Sequence, residues 1–289
     1  MKVIFSRKGF DAENGGYASP ILPDLRLVSL PIPWKTDEHK YSDLQLDSSR
    51  TYYDLMMGLK RTKTIKFSKE RYELTQYTKC HLDPDINSGT INRTSIWRGL
   101  FGQMDGAQTH LVNENVAKDD LFLFFGWFKQ TKFGKDERVV FDNKTQDLHV
   151  IFGYLQIDKI ITVNIGTAIE EWMEYHPHAS ENYRENPTNT IYVARDKLKW
   201  NEDIHGYGIF KFNEKSLDEY GLVLTKETCS RSKWCLPPFF KNVHISCHSL
   251  DSWRPEGYFQ SAKIGQEFVV ADDPCVEKWA KKLIEKNRI

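Results

Sequence analysis

Three short segments carry side chains whose types and spacing suit chemistry. The first, Cys80-His81-Leu82-Asp83-Pro84-Asp85, sets one imidazole and two carboxylates at two-residue intervals. Such a group either converges on a metal or pairs as a general base and its orienter. The plain alternative is a turn, since Asp-Pro initiates turns and surface carboxylates are common. The second, His176-Pro177-His178, holds two imidazoles across a proline, as ligands or as an acid/base pair. Those residues equally suit a helix C-terminus, where a cation is favoured. The third, Ser6-Arg7-Lys8-Gly9-Phe10-Asp11, is followed by Gly15-Gly16 and Ser19-Pro20. Two cations and free amides in a glycine-rich turn can hold phosphate, although the Walker order of residues is absent. A polar strand end with a glycine turn has the same residues.

Two further groups supply recognition rather than reaction. Gln103 and Gln108, within Gly99–His110, offer amides that pair with a base edge or, equally, with loop backbone. Trp127 follows Gly126 at the end of an apolar run, where an indole can stack on a planar ligand or simply join the core. Cys229, Cys235, His244, Cys247 and His248 lack the paired C-x2-C spacing of a zinc site, and no metal is assigned. Nor does any motif name a cofactor.

These side chains need elements to position them. Val3–Arg7 predicts an opening strand, and Pro31 and Pro33 make the segment around Ile32 extended or an edge. Tyr52, Leu55, Met56 and Leu59 recur at helical spacing after Ser48 and Ser49. Thr167 with Glu170 has the capping-box pattern of a helix running through Trp172 and Tyr175 to Pro177. Asp273 and Pro274 open a last helix with the stripe Val276, Trp279, Ala280, Leu283 and Ile284. Strands are predicted at Leu121–Phe128, His149–Leu155, Thr190–Ala194, Gly208–Phe212, Leu222–Thr225 and Glu267–Ala271. A strand-rich middle with helices at the edges is an α+β pattern. No repeat or Gly/Ser linker divides the chain, so residues 1–289 are expected to form one composite domain.

Charge narrows the partners. The 40 basic and 40 acidic side chains cancel, whereas a protein that coats DNA is normally basic. Any nucleic-acid contact should be local. The longest apolar run, Leu121–Phe128, is too short to span a bilayer, and no secretory leader is read. Free thiols and a cytoplasmic address are expected for the 5 cysteines.

Taken in order, Ser6–Asp11 with Ser19-Pro20-Ile21, Leu30-Pro31-Ile32-Pro33, Cys80–Asp85, Gly99–Gln103, Asp120–Phe128 and His176-Pro177-His178 resemble one family. It is the third class of nucleotide-modification-associated domain, predicted to act in hypermodification of DNA bases. The likeness runs from the first strand through about residue 195 and takes in the tail. It implies a base or nucleotide held in a polar and aromatic cleft, with DNA or nucleotide and other base-modifying enzymes as partners. Inside it, Asp119–Phe125 and Ile151–Ile157 resemble the paired strands of PUA-like (ASCH and EVE) domains, implying a barrel over about 110–200. Two readings follow. In an enzyme, Ser6, Arg7 and Lys8 hold phosphate, His81 with Asp83 or Asp85 moves protons, and Asp11, His176 and His178 assist. In a reader that catalyses nothing, Trp127 and its neighbouring rings supply the affinity.

Overall fold

The computed structural model describes residues 1–68, 70–213, 220–263 and 265–289. Its frame is a nine-stranded mixed sheet. In chain order the strands are β1 (Val3–Arg7), β2 (Ser19–Ile21), β3 (Leu100–Gln103), β4 (Leu121–Phe133), β5 (Val139–Phe141), β6 (Leu148–Thr162), β7 (Thr190–Ala194), β8 (Tyr207–Ile209) and β9 (Glu267–Val270). The main path runs β9-β1-β4-β6-β7-β3, with β2 and β5 on β4 and β8 on β6. The α-helices are α1 (Tyr52–Leu59), α2 (Asp105–Asn113), α3 (Glu181–Arg184) and α4 (Pro274–Asn287). The fold is α+β, strand-rich, with a C-terminal helix, as the pattern predicts. No helix of the described residues is long and apolar enough to cross a membrane.

β1 reads Val-Ile-Phe-Ser without polar alternation, and all four residues are buried. The reason is its central place between β9, antiparallel, and β4, parallel. β4 is long enough to hold β1 along Leu121–Phe125 and β2 along Phe128–Gln130. Between those two pairings, the chain leaving β1 crosses Gly126. Lys8 N donates to Phe125 O at 2.9 Å, and a Cβ on Gly126 would lie 2.6 Å from Lys8 O. Only glycine allows that approach.

The sheet curls until its two ends meet. Gln103 Nε2 on β3 donates to Glu267 Oε1 on β9 at 2.7 Å, although these strands terminate opposite ends of the path. Phe101, Phe122, Phe124 and Tyr192 pack together on one face, with the Phe101 and Phe122 rings 4.8 Å apart. Strand alternation sends Phe5, Phe125 and Phe268 to the other face, where Trp234 and Trp279 of α4 cover them. Two smaller cores flank this one. The first gathers the α1 stripe with Phe10, Tyr17, Tyr41, Cys80 and Leu82. The second gathers Trp97, Leu100, Val163, Trp172 and Met173.

The helix predicted from Thr167 does not form. Thr167 Oγ1 accepts from Asn164 N, upstream, and Glu170 takes extended backbone with its carboxylate on Trp172 Nε1. The reciprocal bonds of a capping box are therefore missing, and only a 3-10 turn at Glu171–Met173 remains. Conversely, α2, which carries Gln108, forms where no helix was predicted. Trp127 lies inside β4, which continues to Phe133, rather than at a strand end. α1 is capped by Thr51, whose box partner is Asp54, instead of Ser48 or Ser49.

Candidate functional site

β3 anchors the site. One of its edges pairs with β7, and the other is met by the chain at Asp85, which exchanges backbone hydrogen bonds of 2.8 Å with Leu100. One step along, Gly102 N donates to Asp83 Oδ1 at 2.6 Å, so a carboxylate replaces a backbone acceptor at the strand edge. Cys80 and Leu82 are buried in the α1 core, while His81 and Asp83 alternate with them. The Asp83–Pro84 peptide is cis.

Across β3 stands His178, from the Pro177–Ala179 turn. Its ring lies so close to the strand that a Cβ on Gly102 would fall 2.1 Å from its Cδ2. The His81 and His178 rings are 5.3 Å apart between centroids. Ligand atoms of His81, Asp83 and His178 all lie within 4.8 Å of one another, and no other group of three or more such residues does so among the described residues. His176, wholly buried, places Nε2 3.4 Å from Asp83 Oδ1, yet neither of its nitrogens makes a well-formed hydrogen bond.

A second layer fixes the rings. His81 Nδ1 meets Asp37 Oδ2 at 2.6 Å, and Asp37 Oδ1 accepts from the Tyr183 hydroxyl at 2.7 Å. His178 Nδ1 meets Asn189 Oδ1 at 2.7 Å, while Asn189 Nδ2 donates to Val163 O and His178 O. Burial pushes the Asp83 carboxyl up, but His176, Lys8 and His178 together outweigh it and hold the group down at about 2. Burial, aided by neighbouring His81, pushes His178 down to about 3, so its ring is neutral. The centre is thus an anion among imidazoles, in a place where water is scarce.

Lys8 approaches from the concave face of the sheet. Its ammonium lies 4.4 Å from the Phe101 ring centroid and 3.1 Å from Glu267 Oε1. Ser6 Oγ and Glu267 Oε2, buried nearby on paired strands, have no hydrogen-bond partner among the described residues. Gln103 completes the Glu267 contact, and Gln108 accepts from the Tyr192 hydroxyl at 2.9 Å.

The remaining predicted residues lie elsewhere. Arg7 points to the opposite face, donating to Ala262 O and Lys263 O beside Phe125 and Phe268. Asp11 is exposed and builds its own turn by accepting from Glu13 N and Asn14 N. Asp85 faces away from His81, toward Arg93 and the Tyr175 hydroxyl. Its carboxyl is pushed up by burial, against the pull of Arg93 and Tyr175. Trp127 donates Nε1 to Asp147 and has the Arg231 guanidinium 4.1 Å from its ring. Beside Asp85, Arg93, Trp97, Trp172 and Tyr175 line a hollow of about 490 Å³.

The sequence reading named His81, Asp83, His176 and His178 but missed Asp37, Asn189, Tyr183 and Arg93. Gly102 was the available signal, since a glycine inside an apolar strand marks a close approach. No curated protein and no solved structure matches the chain. One family model does, over residues 2–271. With 270 of its 289 residues spanned by that match, from β1 through β9, the chain belongs to the family described as nucleotide modification associated domain 3.

Proposed function

We propose that this protein modifies a nucleotide or a DNA base, and that the reaction takes place at His81, Asp83, His176 and His178. The observation that carries the reading is the meeting, at the seam of three cores, of an ionised buried carboxylate and three imidazoles contributed by distant segments. Family membership supplies the substrate class, a nucleotide or nucleic-acid base. His81 and Asp83 would move protons at the reacting base, with His176 and His178 beside them. Lys8, whose charge reaches Asp83, would stabilise an anionic substrate or intermediate.

The balanced net charge suits a free nucleotide, or a single base extruded from a duplex, better than a long stretch of backbone. A cytoplasmic location beside DNA and other base-modifying enzymes belongs to the same reading. Mass spectrometry of nucleosides from cells with and without this protein tests it. A mass-shifted nucleoside should be present with the wild type and absent with His81→Ala, whose fold is checked by circular dichroism. Its persistence in His81→Ala cells would remove His81 from the reaction, and identical nucleosides with and without the protein would remove DNA modification.

The non-catalytic reader is favoured by one observation, the aromatic hollow around Trp97 and Trp172. Beside it, two of the three guanidinium nitrogens of Arg93 are buried over the Trp97 and Tyr175 rings without a hydrogen bond among the described residues. Under that reading Trp172→Ala weakens nucleoside binding by about 1–3 kcal/mol while His81→Ala leaves it unchanged. Calorimetry on the two variants separates the readings.

A further inference from the structure

We infer that His81, Asp83 and His178 form a binding site for a divalent first-row transition metal. The inference draws on the proposed function only for what the ion would do, and not for whether it binds.

The first support is the hydrogen-bond logic of the second layer. The Asn189 amide nitrogen is committed to two carbonyls, Val163 O and His178 O, so the atom facing His178 Nδ1 is the amide oxygen. An oxygen acceptor there requires Nδ1 to carry the proton. His178 Nε2 then presents a lone pair. His81 follows the same rule, because its Nδ1 meets a carboxylate that already accepts from Tyr183. Nε2 is therefore the nitrogen that His81 has left for a ligand. On the third side, Asp83 Oδ1 is taken by Gly102 N, and no hydrogen bond is made to Oδ2 among the described residues. The Nε2 of each imidazole and a carboxylate oxygen are thus left to bind, in a group whose ligand atoms lie within 4.8 Å of one another. Such a set repels itself unless a cation or a proton lies between.

The second support is His176. A wholly buried imidazole whose Nε2 lies 3.4 Å from the same carboxylate, and which makes no well-formed hydrogen bond among the described residues, marks a polar centre that those residues leave incomplete. The third is rigidity. His178 lies flat on Gly102, and carboxylate and amide partners behind each ring are how metal-bound imidazoles are commonly held. The ligand atoms, up to 4.8 Å apart, need to close by up to about 1.4 Å to reach the roughly 3.4 Å edge of a tetrahedron with bonds near 2.1 Å.

The donor set fixes the class of ion. Two nitrogens and one carboxylate with open positions suit zinc, iron(II), cobalt(II) or manganese(II), whereas calcium and magnesium take oxygen ligands. With an ion bound, His81, Asp83 and His178 would hold it, and the ion would supply Lewis acidity in place of the proton transfer assigned above to His81 and Asp83.

The full chain, stripped with a chelator and titrated with Co²⁺ at pH 7.5, tests the site by calorimetry and visible absorption. The expected result is uptake of about one equivalent with ligand-field bands, undisturbed by millimolar Mg²⁺. Asp83→Asn and His81→Gln, each conservative in size, should weaken binding at least about 100-fold. Asp37→Asn, which loosens only the support of His81, should weaken it about 10–100-fold. Cys247→Ser, outside the cluster, should bind as the wild type does. Circular dichroism establishes that each variant is folded. No uptake by the wild type would mean that a proton fills the centre and would overturn the site. So would Asp83→Asn and His81→Gln variants that bind as tightly as wild type. Stoichiometric uptake with unaltered nucleosides in cells leaves the metal site standing and sinks the proposed function alone.

Discussion

The catalytic proposal rests on how one glycine and two polar partners hold a ring. His178 has almost no space over Gly102, since an added Cβ would lie 2.1 Å from its Cδ2. Gly102→Ala should therefore push the imidazole off β3 while also straining the bond from Gly102 N to Asp83. Overpacking of this kind costs about 1–3 kcal/mol, and thermal unfolding should register it. Nucleoside modification should fall with it, and a variant with wild-type stability and product would show that the ring is not wedged. Much of this centre was legible in the sequence. His81, Asp83, His176 and His178 sit in short motifs of recognisable chemistry. Asp37 and Asn189 were not legible, because they lie 44 residues from His81 and 11 from His178 in stretches with no pattern of their own. A lone Asp or Asn announces nothing until folding brings it to a ring nitrogen. Arg7 is set apart from the cluster for a related reason. It adjoins Lys8 in sequence, but strand alternation sends neighbours to opposite faces.

Among the elements, the ones read best are those whose signals are local. α4 has its cap, its proline and its apolar stripe within one stretch, and Asp273 indeed accepts from Cys275 N and Val276 N. Asp273→Ala should cost about 1 kcal/mol, measured as a lower urea midpoint. An unchanged midpoint would mean that the cap contributes nothing. The Thr167 segment has the same kind of signal, yet its hydroxyl and carboxylate found other partners and the helix did not form. Sheet order, by contrast, could not be read from pattern, since β1 pairs with β4 and β9 across more than a hundred residues. That seam depends on Gly126. Gly126→Ala would set a methyl 2.6 Å from Lys8 O, separating β1 from β4 where Lys8 turns toward the site. Destabilisation of at least about 2 kcal/mol is expected, larger than for a half-buried loop glycine such as Gly134, where an added Cβ stays 3.3 Å or more from its neighbours. Equal losses at the two positions would refute the close crossing.

Taken whole, the molecule buries neutral imidazoles, and that sets its response to acid. His178 and His149 are both pushed by burial from 6.5 to about 3. Their folded values lie below the unfolded one, so the contribution is complete above about pH 6.5 and is lost as pH falls toward 3. By pH 5 each costs roughly 2 kcal/mol, from 1.5 pH units at about 1.4 kcal/mol per unit. Asp83, held down at about 2, adds the same sign of loss below about pH 3.8. Urea unfolding at pH 7 and pH 5 checks this, and a midpoint that does not drop at pH 5 would contradict neutral buried rings.

The pairing of β1 with β9 bears on synthesis as well as on shape. β1 leaves the ribosome well before its neighbour β9, and the two are separated by about 260 residues. At roughly 5–20 residues per second, that delay is on the order of tens of seconds. Throughout it, the Val-Ile-Phe flank of β1 is an unpaired apolar template, which is the condition under which nascent chains recruit chaperones or aggregate.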